Sequence, residues 1–373
     1  MTRSHGPLTG TRILELGGIG PTPFCGMLLS DLGADVIRVD RPEQKVHTVL
    51  HRGRRSVVLD LKSPAGRDAA RRIAATCDAV VEGFRPGVVE RLGLGPADLR
   101  TSDPALVHGR MTGFGNSGPE ARTPGHDINY IALSGVLHTI GTADSGPVPP
   151  LNLVGDFGGG GMLLALGVLS GILQARRTGC GDVIDCAMVD GAALLNAMTL
   201  GLLNEGVWQD ERASNLLDGG APWYRTYRCA DGAHVAVGCV EPQFWAEFRR
   251  LLGTDSDPDF DRREERARWP RIAARLEAIF LTRSRADWET HFAGSQACVT
   301  PVLSMREAAV HPHNVCRRTF HVAGDSIHPM PAPRFRSSPV DEPGDTRPVG
   351  SATRDVLADC GFTEGEVDQL LDR

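Results

Sequence analysis

ILELGGIGPTPFCGMLLSDLGADVIRVD, from Ile13 to Asp40, joins an apolar run, a glycine-rich turn, a helical stretch and a second apolar run. Ile13 to Leu16 reads as a strand, Phe24 to Leu32 as a helix closed by Gly33, and Val36 to Val39 as the next strand. The pattern continues outward. Ser56 to Leu61 predicts a strand, Ser63-Pro64 a helix start running to about Ala75, and Ala79 to Glu82 another strand. Strands alternating with helices imply a parallel sheet with right-handed crossovers, hence an α/β fold.

Further along, Asp127 to Ile140 and Gly159 to Arg176 read as apolar helices, Val183 to Ala187 as a strand, and Val189 to about Asn204 as a helix. The texture then changes. Trp223 to Cys229 and His234 to Cys239 flank Asp231-Gly232, a hairpin signal, and Pro242 opens an amphipathic helix to about Leu252. Residues 188–330 therefore form a smaller α+β domain in this reading. Residues 1–187 form the large α/β domain. His328 to Pro348 has a linker's composition and leads to a last helix at Thr363 to Leu371.

The 373 residues allow roughly two domains of ~100–200 residues, and 41% hydrophobic content is ordinary for a packed core. A net charge of -6 argues against nucleic acid or an anionic membrane as the main partner. Nine cysteines without paired short spacing, behind a start lacking an apolar signal region, suggest reduced thiols and a cytoplasmic location. Met162 to Leu173 is expected to be a buried helix, too short to cross a bilayer. His311, His313 and Cys316 lack a nearby fourth ligand, so no metal is expected.

Gly17-Gly18-Ile19-Gly20 superficially resembles a dinucleotide turn, but Pro21 and Pro23 remove N–H donors that a pyrophosphate needs. Arg38 could meet a phosphate or pair with Asp35 or Asp40. Arg52, Arg54, Arg55, Lys62, Arg85 and Arg91 cluster near strand ends, where open parallel sheets collect ligands, and Phe84 could stack on a heterocyclic base. An arginine-rich chain also carries many solvated arginines.

Three segments hold proton-handling groups: Gly125-His126-Asp127, Gly155-Asp156 before four glycines, and Val240-Glu241-Pro242. At a helix start the imidazole of His126 would stay neutral, as a base requires, although Asp127 opposes that. The glycines suggest close backbone approach to a ligand. A helix start would lower the pKa of Asp156, and a nearby Glu241 could restore a shared proton. Each of the three could equally be a helix-start residue without a chemical role.

Taken in order, these segments resemble the class III coenzyme A transferase family, within it the α-methylacyl-CoA racemase branch. The resemblance is carried by Asp31 to Asp40, Arg55 to Lys62, Glu82 to Gly87 with Arg91 to Gly95, Met111 to Gly115, Gly125 to Tyr130, Asn152 to Asp156 and Glu241 to Phe244. It implies a Rossmann-like large domain built from both chain ends (1–187 and 331–373), a small domain (188–330) and an interlocked homodimer. It also implies an acyl-CoA substrate, with coenzyme A as part of that substrate and no separate cofactor. Arg38, Leu59, Asp60, Leu61, Lys62, Gly83, Phe84, Arg85, Arg91, Gly125, Asp127, Ile128, Asn129 and Tyr130 would bind coenzyme A. His126 would be one base and Asp156, supported by Glu241, the other; Asn152 and N–H groups near Asp156 would face the enolate oxygen. Met188, Leu195, Met198 and Trp223 are candidate acyl-pocket walls or plain core. A transferase using Asp156 as nucleophile is the main alternative, and a silent acyl-CoA binder the third.

Overall fold

In the computed structural model, which describes residues 6–340 and 342–371, the quoted stretch folds as β1 (Arg12–Leu16), α1 (Pro21–Asp31) and β2 (Asp35–Asp40). β3 (Arg55–Val58), α2 (Pro64–Ala74) and β4 (Ala79–Glu82) follow. Ser63 caps α2 by accepting a hydrogen bond from the Gly66 N–H. Two further strands, β5 (Val107–Thr112) and β6 (Val183–Ala187), complete a sheet ordered β3-β2-β1-β4-β5-β6, every neighbouring pair parallel. That order reverses direction between β1 and β4, so the carboxyl ends of those two strands open a crevice where ligands bind in doubly wound sheets. β5 escaped the sequence reading because its alternation is interrupted by His108, Gly109 and Arg110.

The connection from β5 to β6 carries α3 (Asp127–Leu133), a π-helix (Leu153–Met162) and α4 (Leu163–Thr178). The Asp127 helix is thus shorter than expected, and the Gly159 helix starts six residues earlier, at Leu153. Leu153–Thr178 is one continuous helical run of 26 residues with mean hydropathy 1.5, long and apolar enough to cross a membrane by length and composition. This corrects the reading of the apolar stretch as too short. Its Leu164, Val168 and Ile172 are buried against the sheet, where Gly109 and Gly171 leave no room for a Cβ.

The four glycines after Asp156 have a structural explanation. A Cβ on Gly159 would lie 2.6 Å from the Ala192 nitrogen, and one on Gly161 would lie 2.6 Å from the Pro21 carbonyl oxygen. They let the π-helix press on α1 and on α5 (Met188–Leu195), so close packing within the protein, rather than approach to a ligand, accounts for them. π-helical turns are rare and concentrate at functional sites.

Two compact units divide the chain. The first takes the described parts of Met1–Ser134, Pro150–Asn196 and Pro312–Arg373; the second takes Gly135–Pro149 and Ala197–His311. Compared with the expected 1–187 plus 331–373 and 188–330, three segments change side. α5 stays with the first unit because it packs on the π-helix, and the hairpin Phe320–Ala323 with Ser326–Pro329 stays because Arg52 donates to the Pro329 carbonyl at 2.7 Å. Gly135–Pro149 belongs to the second, where Arg212 donates to the His138 carbonyl at 2.9 Å. The second unit has its own core around Trp223, Trp245, Phe248, Phe280 and Trp288, beside the antiparallel strands Tyr224–Arg228, His234–Gly238 and Val299–Pro301. Trp223 is therefore core, not an acyl wall.

His108 on β5 is fully buried, and neither ring nitrogen has a hydrogen-bond partner among the described residues. Burial first, then Arg110 and Arg100, push its pKa down to about 3. An unfolded histidine takes up its proton near pH ~6.5. The folded state refuses that proton until about 3, so stability is present above pH ~6.5 and falls as the pH drops through that window. Between about pH 7 and pH 5 this group alone is expected to cost about 2 kcal/mol. His108→Leu should reduce the difference between urea unfolding free energies at those two pH values by that amount; an unchanged difference would rule the effect out.

Candidate active site

At the β1/β4 crevice the turn Gly17 to Gly20 meets the loop after β4. Gly17, Gly18 and Gly20 hold positive φ angles of 58°, 111° and 65°. A Cβ on Gly17 would sit 2.5 Å from the Phe84 ring, and one on Gly20 would sit 2.7 Å from Asp156 Oδ2. The turn is shaped to receive Phe84 and the Asp156 carboxyl. Glu82, at the end of β4, accepts the Phe84 N–H at 2.7 Å and so fixes the loop's exit.

A cleft of about 250 Å³ opens here, with Phe84, Arg85, His126, Tyr130, Asp156 and Met188 among its lining residues. Of the residues expected to bind coenzyme A, Gly83, Phe84, Arg85, Gly125 and Tyr130 face this cleft. Leu59 to Lys62 follow β3 at the same carboxyl edge of the sheet; Leu59 is buried, Leu61 half-buried, and Asp60 and Lys62 exposed. Arg85 and Arg91 are exposed as well. Met188, named as an acyl wall, lines the cleft, whereas Leu195 and Met198 are exposed.

The other strand-end arginines are spoken for. Arg38 is buried and donates from Nε and Nη2 to Asp40, at 2.6 Å for the closest approach, with Ser56 donating to the same carboxylate. Arg52 pairs with Asp31 at 2.5 Å, Arg54 with Glu15 at 2.5 Å, and Arg55 with Asp35 at 2.6 Å. Arg38 thus forms the ion pair with Asp40 that was the alternative to a phosphate contact. Pairing inside the protein is the cheaper state for a buried guanidinium.

His126 precedes α3 with extended backbone, its N–H donating to Asn129 Oδ1 at 3.0 Å, and its imidazole makes no capping bond. The ring stays available to the cleft. Tyr130, one turn on, donates its hydroxyl to the Gly125 carbonyl and braces the backbone just before His126. Its ring is seated because Gly113 and Gly125 lack side chains; a Cβ on either would fall within 2.8 Å of it. Ile128 and Asn129 are exposed and outside the cleft lining.

Asp156 lies in the first turn of the π-helix, half-buried. Asn152 Nδ2 donates to its Oδ2 at 3.1 Å, and its own N–H donates to Asp127 Oδ2 at 2.7 Å. Burial raises the pKa of the Asp156 carboxyl, the Asn152 bond lowers it, Asp127 raises it and His126 lowers it, with a net upward shift. That reverses the direction expected from a helix start alone. The Asp156 N–H and one of the two Asn152 side-chain N–H groups are bound inside the protein. Asn152 thereby holds the Asp156 carboxyl in place.

Thr22 is a cleft residue the sequence reading passed over. Its hydroxyl is buried without a partner among the described residues, between Gly18 and Gly83. Only the absence of Cβ atoms on those two glycines, which are distant in sequence, signals it. Glu241 belongs to the second unit, where it is exposed and precedes the helix Pro242–Leu252 without a side-chain capping bond. The described residues hold no group of three or more His, Cys, Asp or Glu side chains arranged for a metal ion.

The family model described as CoA-transferase family III matches residues 8–349. Alpha-methylacyl-CoA racemase of Mus musculus is 43% identical over 365 residues, covering 97% of this chain and 96% of that protein. The protein of the same name from Homo sapiens is 42% identical, with the same shares covered. Among solved structures, Rv3272 of M. tuberculosis superposes with a TM-score of 0.76 at 26% identity, covering 94% of this chain and 99% of that one.

Proposed function

The chain belongs to CoA-transferase family III, and from that premise we propose that it interconverts the R and S isomers of 2-methyl-branched acyl-CoA thioesters. The observation that carries this reading is the pairing, in one cleft, of an uncapped imidazole with a carboxyl group whose pKa is raised. A transferase needs one nucleophilic carboxylate, preferably ionised, and no imidazole opposite it. Here burial raises the pKa of the Asp156 carboxyl, the direction that suits a proton donor.

In this mechanism coenzyme A anchors the substrate, and the thioester acidifies the α-carbon. His126 takes the α-proton of the S isomer, leaving a planar enolate. Asp156 delivers a proton to the opposite face and becomes the carboxylate that starts the reverse reaction. Glu241 is proposed as the supporting carboxylate on the strength of the family resemblance. Thr22 is a hydroxyl donor within the same cleft. No redox step occurs, because one proton leaves and one returns.

We also propose that two copies associate. On α4 and the turn before it, Met162, Leu166 and Leu173 follow a helical spacing and are all more than half exposed, an apolar stripe of the kind that marks an interface.

Mixing the protein with a single-isomer 2-methylacyl-CoA in deuterated water separates the readings. Deuterium should enter the α-carbon with no carboxylic acid added. Exchange of coenzyme A that depends on an added carboxylate, without α-deuteration, would support transfer instead; binding with neither would leave a silent acyl-CoA binder.

A further inference from the structure

We propose that Asp127 is a positioning residue for Asp156: its carboxyl group clamps the Asp156 backbone N–H and lies beside the Asp156 side chain, which it biases toward the proton-donating form. The inference deepens the racemase reading above and rests on it for its purpose, though not for its test.

Four observations converge on Asp127. It is only 6% exposed, and its Oδ2 accepts the Asp156 N–H at 2.7 Å. Its Oδ1 is buried with no donor among the described residues, so a single hydrogen bond compensates the group. Gly155, immediately before Asp156, leaves the space Asp127 occupies: a Cβ there would lie 2.6 Å from Asp127 Oδ2 and force that carboxyl to shift. Finally, Asp127 acts on the Asp156 carboxyl in the raising direction, behind burial and against Asn152 and His126.

The elements packed on the π-helix leave few other candidates in this unit. α1 contributes the buried thiol of Cys25 near its start and Asp31 at its far end. α3 and the residue before it contribute His126, Asp127 and Tyr130; α5 contributes Asp190; β6 contributes Asp185 and Cys186; α4 carries Arg176 and Arg177 in its last turn. Arg85 lines the same cleft. Of the carboxylates among these, Asp127 alone is hydrogen-bonded to Asp156 itself. Two carboxylates held close resist ionising together, so the charge on one favours the proton on the other.

The test uses the full chain with 13C-labelled aspartate, the Asp156 carboxyl resonance being identified by its loss in Asp156→Asn. In the unsubstituted protein that resonance should titrate above the ordinary aspartate midpoint of ~3.9. In Asp127→Asn, which keeps an oxygen able to accept the Asp156 N–H, the midpoint should fall by about one pH unit. An unmoved midpoint in Asp127→Asn would overturn the proposal. So would an ordinary or lower midpoint in the unsubstituted protein, which decides the matter even if the variant does not fold. Neither reading depends on turnover: failure of α-deuteration would sink the racemase reading, failure of the titration shift only this one.

Discussion

His126→Ala is expected to slow deuterium exchange at the α-carbon of the S isomer by about 10²–10⁴-fold, the range that a positioned general base contributes. The imidazole is uncapped and lines the cleft, and its backbone is held on both sides, by the Asn129 side chain at its own N–H and by Tyr130 at Gly125. Alanine should leave these backbone contacts in place, so the folded structure and coenzyme A affinity should survive. Stereospecific exchange measured by proton NMR, with binding measured separately, checks this. Retained S-isomer exchange would remove His126 from the mechanism.

Glu15→Ala is expected to destabilise the fold by about 3–5 kcal/mol, the usual cost of leaving a buried charge unpaired. Glu15 on β1 and Arg54 just before β3 are each 1% exposed and meet at 2.5 Å. Arg54 Nε and Nη2 already lack partners among the described residues, so Glu15 is its sole recorded compensation. Burial pushes the Glu15 pKa up and the Arg54 pKa down, and their mutual attraction opposes both shifts. α1 fits over the pair only because Gly26 has no side chain, a Cβ there falling 2.2 Å from Glu15 Oε2. Urea unfolding at neutral pH gives the measurement. Replacing both partners by methionine should restore most of the loss, and a double variant as unstable as Glu15→Ala would contradict the unpaired-charge explanation.

Elements whose signal is local were legible in the sequence. The run from Ile13 to Asp40 announces strand, turn, helix and strand by its periodicity, and Ser63-Pro64 announces a capped helix, all within a few residues. Partnerships made by the fold were not. Arg54 is 39 residues from Glu15 and Arg52 is 21 from Asp31, so arginines that looked like phosphate ligands gave no sign of their carboxylates. The π-helix hides behind glycines that suggest approach to a ligand, because the contacts needing those glycines come from Pro21 and from Gly191 and Ala192. The same holds at the site. His126 and Asp156 stood out by residue type, but the grip of Asp127 on Asp156 spans 29 residues and only the folded backbone brings it about.

The central claim is that His126 and Asp156 serve opposite faces of one enolate, and stereochemically resolved exchange by Asp156→Asn addresses it most directly. With the S isomer in deuterated water, His126 should still remove the α-proton and return deuterium to the face it left. The account predicts deuterated S isomer accumulating with almost no R isomer. Undiminished formation of the R isomer by that variant would contradict it.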